Sequence, residues 1–301
     1  MAQDAPTPTR SSAALDLTIR GASERSERLF VLACLVALGT PLLLLGWLFG
    51  STLVEALPRL GWSFLTSYPS HRAAAAGVLP GLVGSAILLA LTAAIAIPLG
   101  IGAALYLEEY ARPNLFTSLV ELNIGNLAGV PSIIYGLLGL EVFVRVMGLG
   151  RSLLAGAATL ALLLLPMVIM ASREALRTVP LSMREACFAL GADRFTALRR
   201  VVVPMCLPGM LTGIILSLAR AAGETAPLIA IGALSYVGFL PESLLDGFTA
   251  LPIQIFNWTA RPQVAFHANA SAGIVVLLAL MLALNATAIW LRARLQRRVN
   301  W

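Results

Sequence analysis

Arg220 and Glu224 stand four residues apart at the end of a long apolar run. On a helix that spacing puts both on one face, where they can pair. Ionisable groups inside a membrane-length segment are costly, and they face a partner or a water-filled cavity. Arg offers a planar fork of donors suited to a tetrahedral oxyanion. Two roles are therefore open: an ion bridge that fixes a helix end, or an anion passage in which Glu224 stops Arg220 from trapping the anion. No bond-making chemistry is legible elsewhere, so no catalytic residue is expected. The chain contains no Lys, which excludes a standard P-loop, whose Lys must reach the β- and γ-phosphates. Cys34, Cys187 and Cys206 are scattered, and His71 and His267 lack partners at metal spacing. Neither a metal site nor a cofactor is expected.

A second constellation is polar. Glu185-Ala-Cys-Phe-Ala-Leu-Gly191 is followed nine residues later by Val201-Val-Val-Pro204, and the whole lies between two apolar segments. Ser182-Met-Arg-Glu185 has the form of a capping box, in which hydroxyl and carboxylate satisfy orphan N–H groups at a helix start. Gly191 suits the left-handed position just past a helix end, and Asp193 can cap a second helix. On the short helix between them, Ser182, Ala186 and Ala189 share a face whose small side chains let a soluble partner approach. Bare connectors are usually only a few residues long, so this insert reads as a surface for docking.

The elements that position these residues follow from composition. Of 301 residues, 58% are hydrophobic and 12% charged, against about 25% charged in soluble domains. The chain reads as an all-α membrane protein. A crossing needs roughly 20 apolar residues, and six segments qualify: Leu29–Gly50, Val78–Leu107, Leu122–Val144, Leu153–Ala171, Met205–Ala222 and Ala272–Leu291. The domain reading is a flexible cytoplasmic arm at 1–28, a first transmembrane helix at 29–50, a core at 77–295 containing the 172–203 insert, and a tail at 296–301. The net charge of +6 could suggest nucleic acid, but its distribution is topological. Fifteen Arg fall in the arm, the 107–121 loop, the insert and the C-terminal end, and five (Arg59, Arg72, Arg145, Arg151 and Arg261) fall on the other side. That asymmetry places both termini and the insert in the cytoplasm.

Within the third segment, Gly125, Gly129, Ser132, Gly136 and Gly139 step by four, three, four and three. Such a seam lets helix backbones approach closely in lipid, against this chain or a partner. Pro131 weakens the helix there, and a pathway-lining role is the alternative.

In residue types and spacing, Glu185, Ala186, Gly191 and Pro204 resemble the cytoplasmic loop of ABC-importer permeases. That loop runs Glu-Ala-Ala, three residues, Gly, nine residues, Ile, one residue, Leu-Pro. Cys187, Val201 and Val203 are mild departures. Arg220-Ala-Ala-Gly-Glu-Thr-Ala-Pro227 and Val130-Pro-Ser-Ile-Ile-Tyr-Gly136 resemble the phosphate-specific members of that family. Leu251-Pro-Ile-Gln-Ile-Phe-Asn-Trp258 and Phe266-His267 resemble the PstA-type subunit. The resemblance runs from about Gly77 to the C-terminus. It implies a type I permease core with a coupling helix in a bacterial inner membrane. The implied partners are a pair of ABC ATPase subunits, a second and different permease chain, and an extracytoplasmic phosphate-binding protein. ATP hydrolysis then belongs to the ATPase. The sister permease subunit, a sulfate or molybdate permease, a non-transporting sensor of phosphate supply and an ion-coupled transporter remain as alternatives. Uptake that survives loss of the ATPase marks the last, and sensing without uptake marks the sensor.

Overall fold

An apolar run in lipid has one local way to satisfy its backbone groups, the helix. The computed structural model describes residues 10–233 and 236–296, and among these every regular element is helical. In order they are α1 (Arg10–Ala56), α2 (Trp62–Thr66), α3 (Leu79–Leu105), α4 (Leu115–Ala128), α5 (Ser132–Gly139), α6 (Leu153–Arg177), α7 (Leu181–Ala189), α8 (Arg194–Ala197), α9 (Val203–Ala222), α10 (Ala226–Ile231), α11 (Leu251–Thr259) and α12 (Ala265–Gln296). π-Helical turns at Tyr106–Tyr110, Leu140–Val146 and Leu198–Val202 extend α3 and α5 and lead into α9. Among the described residues, five helices are long and apolar enough to cross a membrane, and a sixth crossing results if α4 and the helix after it are counted as one bent span.

The chain divides into two compact units, residues 1–54 and 55–301. In the first, α1 is one 47-residue helix. Its backbone is therefore helical over residues 10–28, where the sequence reading expects a flexible arm. Apart from Gly21, the residues from Arg10 to Arg28 include none that breaks a helix. Residues 1–9 of the arm and residues 297–301 of the tail lie outside the described residues. From Leu29 to Leu48 every large apolar side chain is exposed, and the helix is apolar on all its faces, as membrane spans are.

In the second unit, α6 is the central helix, lying against α3, α9, α5 and α4. It can sit there because from Leu153 to Ala171 it is apolar on all faces and because Ala155, Gly156, Ala157 and Ala161 keep it slim. Its polar Thr159 is fully buried and donates to Ala155 O at 2.8 Å. At one end of the unit, Phe64, Leu251, Trp258 and Phe266 form a buried cluster. Beside it Arg59 donates to Asn269 Oδ1 at 2.5 Å and to the carbonyls of Ala73, Ala74 and Ala76. At the other end, Ala104, Leu176, Leu198, Val202 and Met210 close the core beneath the insert.

The third apolar segment is not one helix. α4 and the helix that begins with α5 meet at an angle of 106°. Pro131 is extended at the break (φ −55°, ψ 136°), and a proline also biases the preceding residue away from helix. The Gly125–Gly139 stripe therefore does not form one face. Gly136 and Gly139 are buried, and a Cβ at Gly136 would lie 2.7 Å from Pro227 Cα and 2.8 Å from Pro227 O. At Gly139 it would meet Thr159 of α6. Ser132 is half-buried, while Gly125 and Gly129 are exposed. The last crossing also starts earlier than expected, at Ala265, because α12 continues through Asn269 and Ser271. Both are buried, and Ser271 donates to Glu55 Oε2 at 2.9 Å.

Candidate functional site

The insert between α6 and α9 is built as two short helices. α7 starts two residues earlier than the capping box requires. Pro180 occupies the N-cap position, extended at φ −59° and ψ 142°, and its carbonyl accepts from Met183 N at 3.2 Å. Ser182 and Glu185 thus lie inside the helix, and neither makes a side-chain hydrogen bond among the described residues. The predicted box is not formed, because the proline fixes the entry φ and the first turn closes on its carbonyl.

The exit follows expectation. Gly191 has φ +81°, its N–H donates to Phe188 O at 2.9 Å, and Ala192 N–H donates to Cys187 O at 3.0 Å. These two bonds define a Schellman turn, which favours glycine. Asp193 then caps α8, accepting from Thr196 N at 3.3 Å. The hydrogen bond from Thr196 holds the Asp193 carboxyl below its ordinary range.

Ser182, Glu185, Ala186 and Ala189 are all exposed on α7, at positions that follow one helical face. Exposed apolar residues accompany them: Leu181, Met183, Phe188 and Leu190, with Phe195 on α8. Leu190 is 89% exposed. Small residues and apolar knobs at one projecting element make a surface that another protein can cover.

Sequence reasoning missed what anchors this surface. Arg184 turns inward from α7, its Nη2 2.9 Å from Glu109 Oε1. Nearby, Arg173 lies 2.6 Å from Glu108 and 2.8 Å from Glu121, and Arg177 lies 2.9 Å from Glu108. The available signal was the adjacent pair Glu108–Glu109 at the end of an apolar run on the Arg-rich side. Two acids in that place ask for partners.

Arg220 occupies the last turn of α9, which Gly223 ends. Glu224 lies just past the helix, its N–H bonded to Ala221 O at 3.2 Å. The two side chains meet through one long contact, Arg220 Nε to Glu224 Oε1 at 3.4 Å. Arg220 is 52% exposed and Glu224 16%. The arginine's other described contact is weak, Nη1 to Met167 Sδ at 3.7 Å. Its donor fork is thus largely unspent. Glu224 lines, with Ser85, Ala221, Leu228 and Pro252, a cavity of about 10 Å³.

Residues 96–301 match the family model described as "Binding-protein-dependent transport system inner membrane component". The chain belongs to that family. It is a multi-pass membrane permease, and its family members are transport subunits that are not themselves enzymes. It is 33% identical over 265 residues to the phosphate transport system permease protein PstA 1 of Mycobacterium tuberculosis (strain CDC 1551 / Oshkosh), covering 86% of this chain and 84% of that one. It is 31% identical to the probable ABC transporter permease protein YqgI of Bacillus subtilis (strain 168), covering 84% and 90%. Among solved structures it is similar in fold to a bacterial ABC transporter involved in import of the acidic polysaccharide alginate. That match has a TM-score of 0.64 at 12% identity and covers 92% and 99% of the two chains.

Proposed function

We propose that this chain is the PstA-type subunit of an ATP-driven phosphate importer in a bacterial inner membrane, with both termini and the α7–α8 insert in the cytoplasm. One of a pair of ABC ATPase subunits docks on Ser182, Glu185, Ala186 and Ala189, with Gly191 setting the exit of the docking helix. A second permease chain completes the pathway, and an extracytoplasmic binding protein delivers phosphate. Closure of the ATPase pair on ATP moves the docked insert and re-orients the cavity, so substrate is exposed alternately to the two sides.

Arg220 carries the reading. In a chain a third identical to PstA 1, a half-exposed guanidinium ends a membrane-crossing helix with a single 3.4 Å contact to its carboxylate. A close bidentate pair would spend two of the five N–H donors on the carboxylate and occupy one edge of the fork. A long one-pronged pair leaves the fork available to a tetrahedral dianion or monoanion. Glu224 offsets the positive charge, which favours release over trapping.

The test is uptake of radiolabelled phosphate beside the membrane abundance of the intact complex. Arg220→Gln keeps length and hydrogen-bonding capacity but removes charge, and is expected to assemble, dock the ATPase and move little phosphate. Arg220→Lys is expected to be partly active, since a point charge cannot reproduce the fork. Wild-type uptake by Arg220→Gln removes the residue from the pathway. Loss of uptake that merely follows loss of complex makes the pair structural, because neutralising one partner leaves an uncompensated charge.

A further inference from the structure

Arg184 and Glu109 belong neither to the exposed face of α7 nor to the Arg220 region. Their side chains are only 20% and 12% exposed. Arg184 Nη2 lies 2.9 Å from Glu109 Oε1 and donates to Leu176 O, at the end of α6, at 3.1 Å. The backbone carbonyl of Glu109 accepts from Arg194 Nη1 of α8 at 3.3 Å. One residue at the end of α3 therefore holds both helices of the insert, one through its side chain and one through its backbone.

The quality of the contact matters as much as its place. Glu109 Oε1 and Arg184 Nε are both buried without a hydrogen-bond partner among the described residues. The pair is thus held by charge at short range, not by a directed bond. Hydrogen bonds weaken steeply as the donor angle falls below ~120°. Coulomb attraction falls only as the inverse of distance and tolerates rotation. Such a contact can follow a turning helix and stay attached. It also adjoins irregular backbone: Glu109 lies in the π-helical turn Tyr106–Tyr110, and the insert leaves through another at Leu198–Val202. π-Turns interrupt helical register and recur at functional positions.

We infer that the Glu109–Arg184 pair is the tether through which movement of the α7–α8 insert is passed to α3. The inference rests on the importer reading above. The two residues are positioning residues that touch no substrate. Their loss lets the insert move without carrying α3, so ATP is hydrolysed without matching transport.

The experiment uses the complete complex in proteoliposomes, with ATP hydrolysis and uptake of radiolabelled external phosphate measured together. Glu109→Gln and Arg184→Gln are expected to keep hydrolysis within about twofold of wild type while phosphate moved per ATP falls at least about tenfold. Arg184→Lys is expected to keep that ratio within about twofold, because a contact held by charge does not need the guanidinium fork. A wild-type ratio in the neutral variants overturns the tether. So does lost uptake that tracks complex abundance at an unchanged ratio, and so does Arg184→Lys behaving like Arg184→Gln. Where the neutral variants fail to assemble, Glu109→Asp keeps the charge one methylene further away and is expected to lower the ratio about two- to fivefold. A wild-type ratio there overturns the tether equally. A wild-type complex that moves no phosphate instead refutes the importer reading, and the tether falls with it.

Discussion

Gly191 isolates backbone conformation from packing. Its φ is +81°, and a Cβ built on it would meet nothing within 4 Å. Any loss on substitution therefore comes from the left-handed conformation and not from a clash. That conformation costs an ordinary L-residue about 1–2 kcal/mol, less for Asn, whose short polar side chain bonds locally, and more for a β-branched residue. If the substituted turn opens instead of bearing that cost, the docking-competent fraction of α7 falls correspondingly. An energy of 1–2 kcal/mol corresponds to a factor of about 5–30 in a two-state equilibrium, and apparent affinity falls by the same factor. Binding of the purified ATPase subunit to the permease pair, followed by titration, is expected to rank Gly191, then Asn, then Ala, then Val. Gly191→Ala is expected to weaken binding by up to about 5- to 30-fold, and Gly191→Asn by less. Equal binding by Gly191→Val and wild type refutes the reasoning. Equal loss in Asn and Val variants refutes it differently, since side-chain bulk and not φ would then govern docking.

Gly136→Ala should destabilise the complex by about 1–3 kcal/mol, because its new methyl meets Pro227 backbone at 2.7 Å. Gly125→Ala, with nothing of this chain within 4 Å, should leave thermal unfolding nearly unchanged. Arg173, with an 11% exposed side chain and two carboxylate partners, should cost about 3–5 kcal/mol on truncation to Ala. The exposed Arg145–Glu141 pair should be worth under about 1 kcal/mol, and melting curves of the two variants compare them directly. After removal of Cys34, Cys187 and Cys206, single cysteines at 71 and 267 should react with an impermeant reagent added to the outer side, and one at 193 should not. Labelling of position 193 in intact cells reverses the proposed topology.

The number and order of apolar segments were readable because hydropathy sums over a window, and about 20 residues of lipid-compatible side chains leave few alternatives to a crossing. The same summation is blind to direction. It ran straight through Gly129 and Pro131, where the chain turns by 106°, although Pro131 was visible as a weak point. The exit of α7 was legible because Gly191 and Asp193 act on their immediate neighbours. Its entry was misread, since a capping box and a proline competed for the same turn and the proline prevailed. Arg220 and Glu224 announced themselves as charges in an apolar run. The Arg184–Glu109 pair did not, because its partners lie on different helices and only tertiary packing brings them together. Helical structure upstream of Leu29 was missed for another reason: polarity was equated with disorder, although the residue types there are mostly compatible with helix.

The break between α4 and α5 also says something about solvent. Hydrocarbon offers no hydrogen bonds, so irregular backbone at membrane depth is tolerated only when protein or a water-filled space lies against it. Gly129 and Pro131 are exposed on this chain, and so are Ile133, Ile134, Leu137 and Leu138 just beyond them. The turn keeps part of its own hydrogen bonding, since Gly129 N–H, Val130 N–H and Ile134 N–H donate to Asn126 O, Leu127 O and Pro131 O. Wherever hydrocarbon would meet this kink, each polar backbone group still bare costs several kcal/mol. On the importer reading proposed above, the bend is thus a corner that water or the second permease chain has to cover.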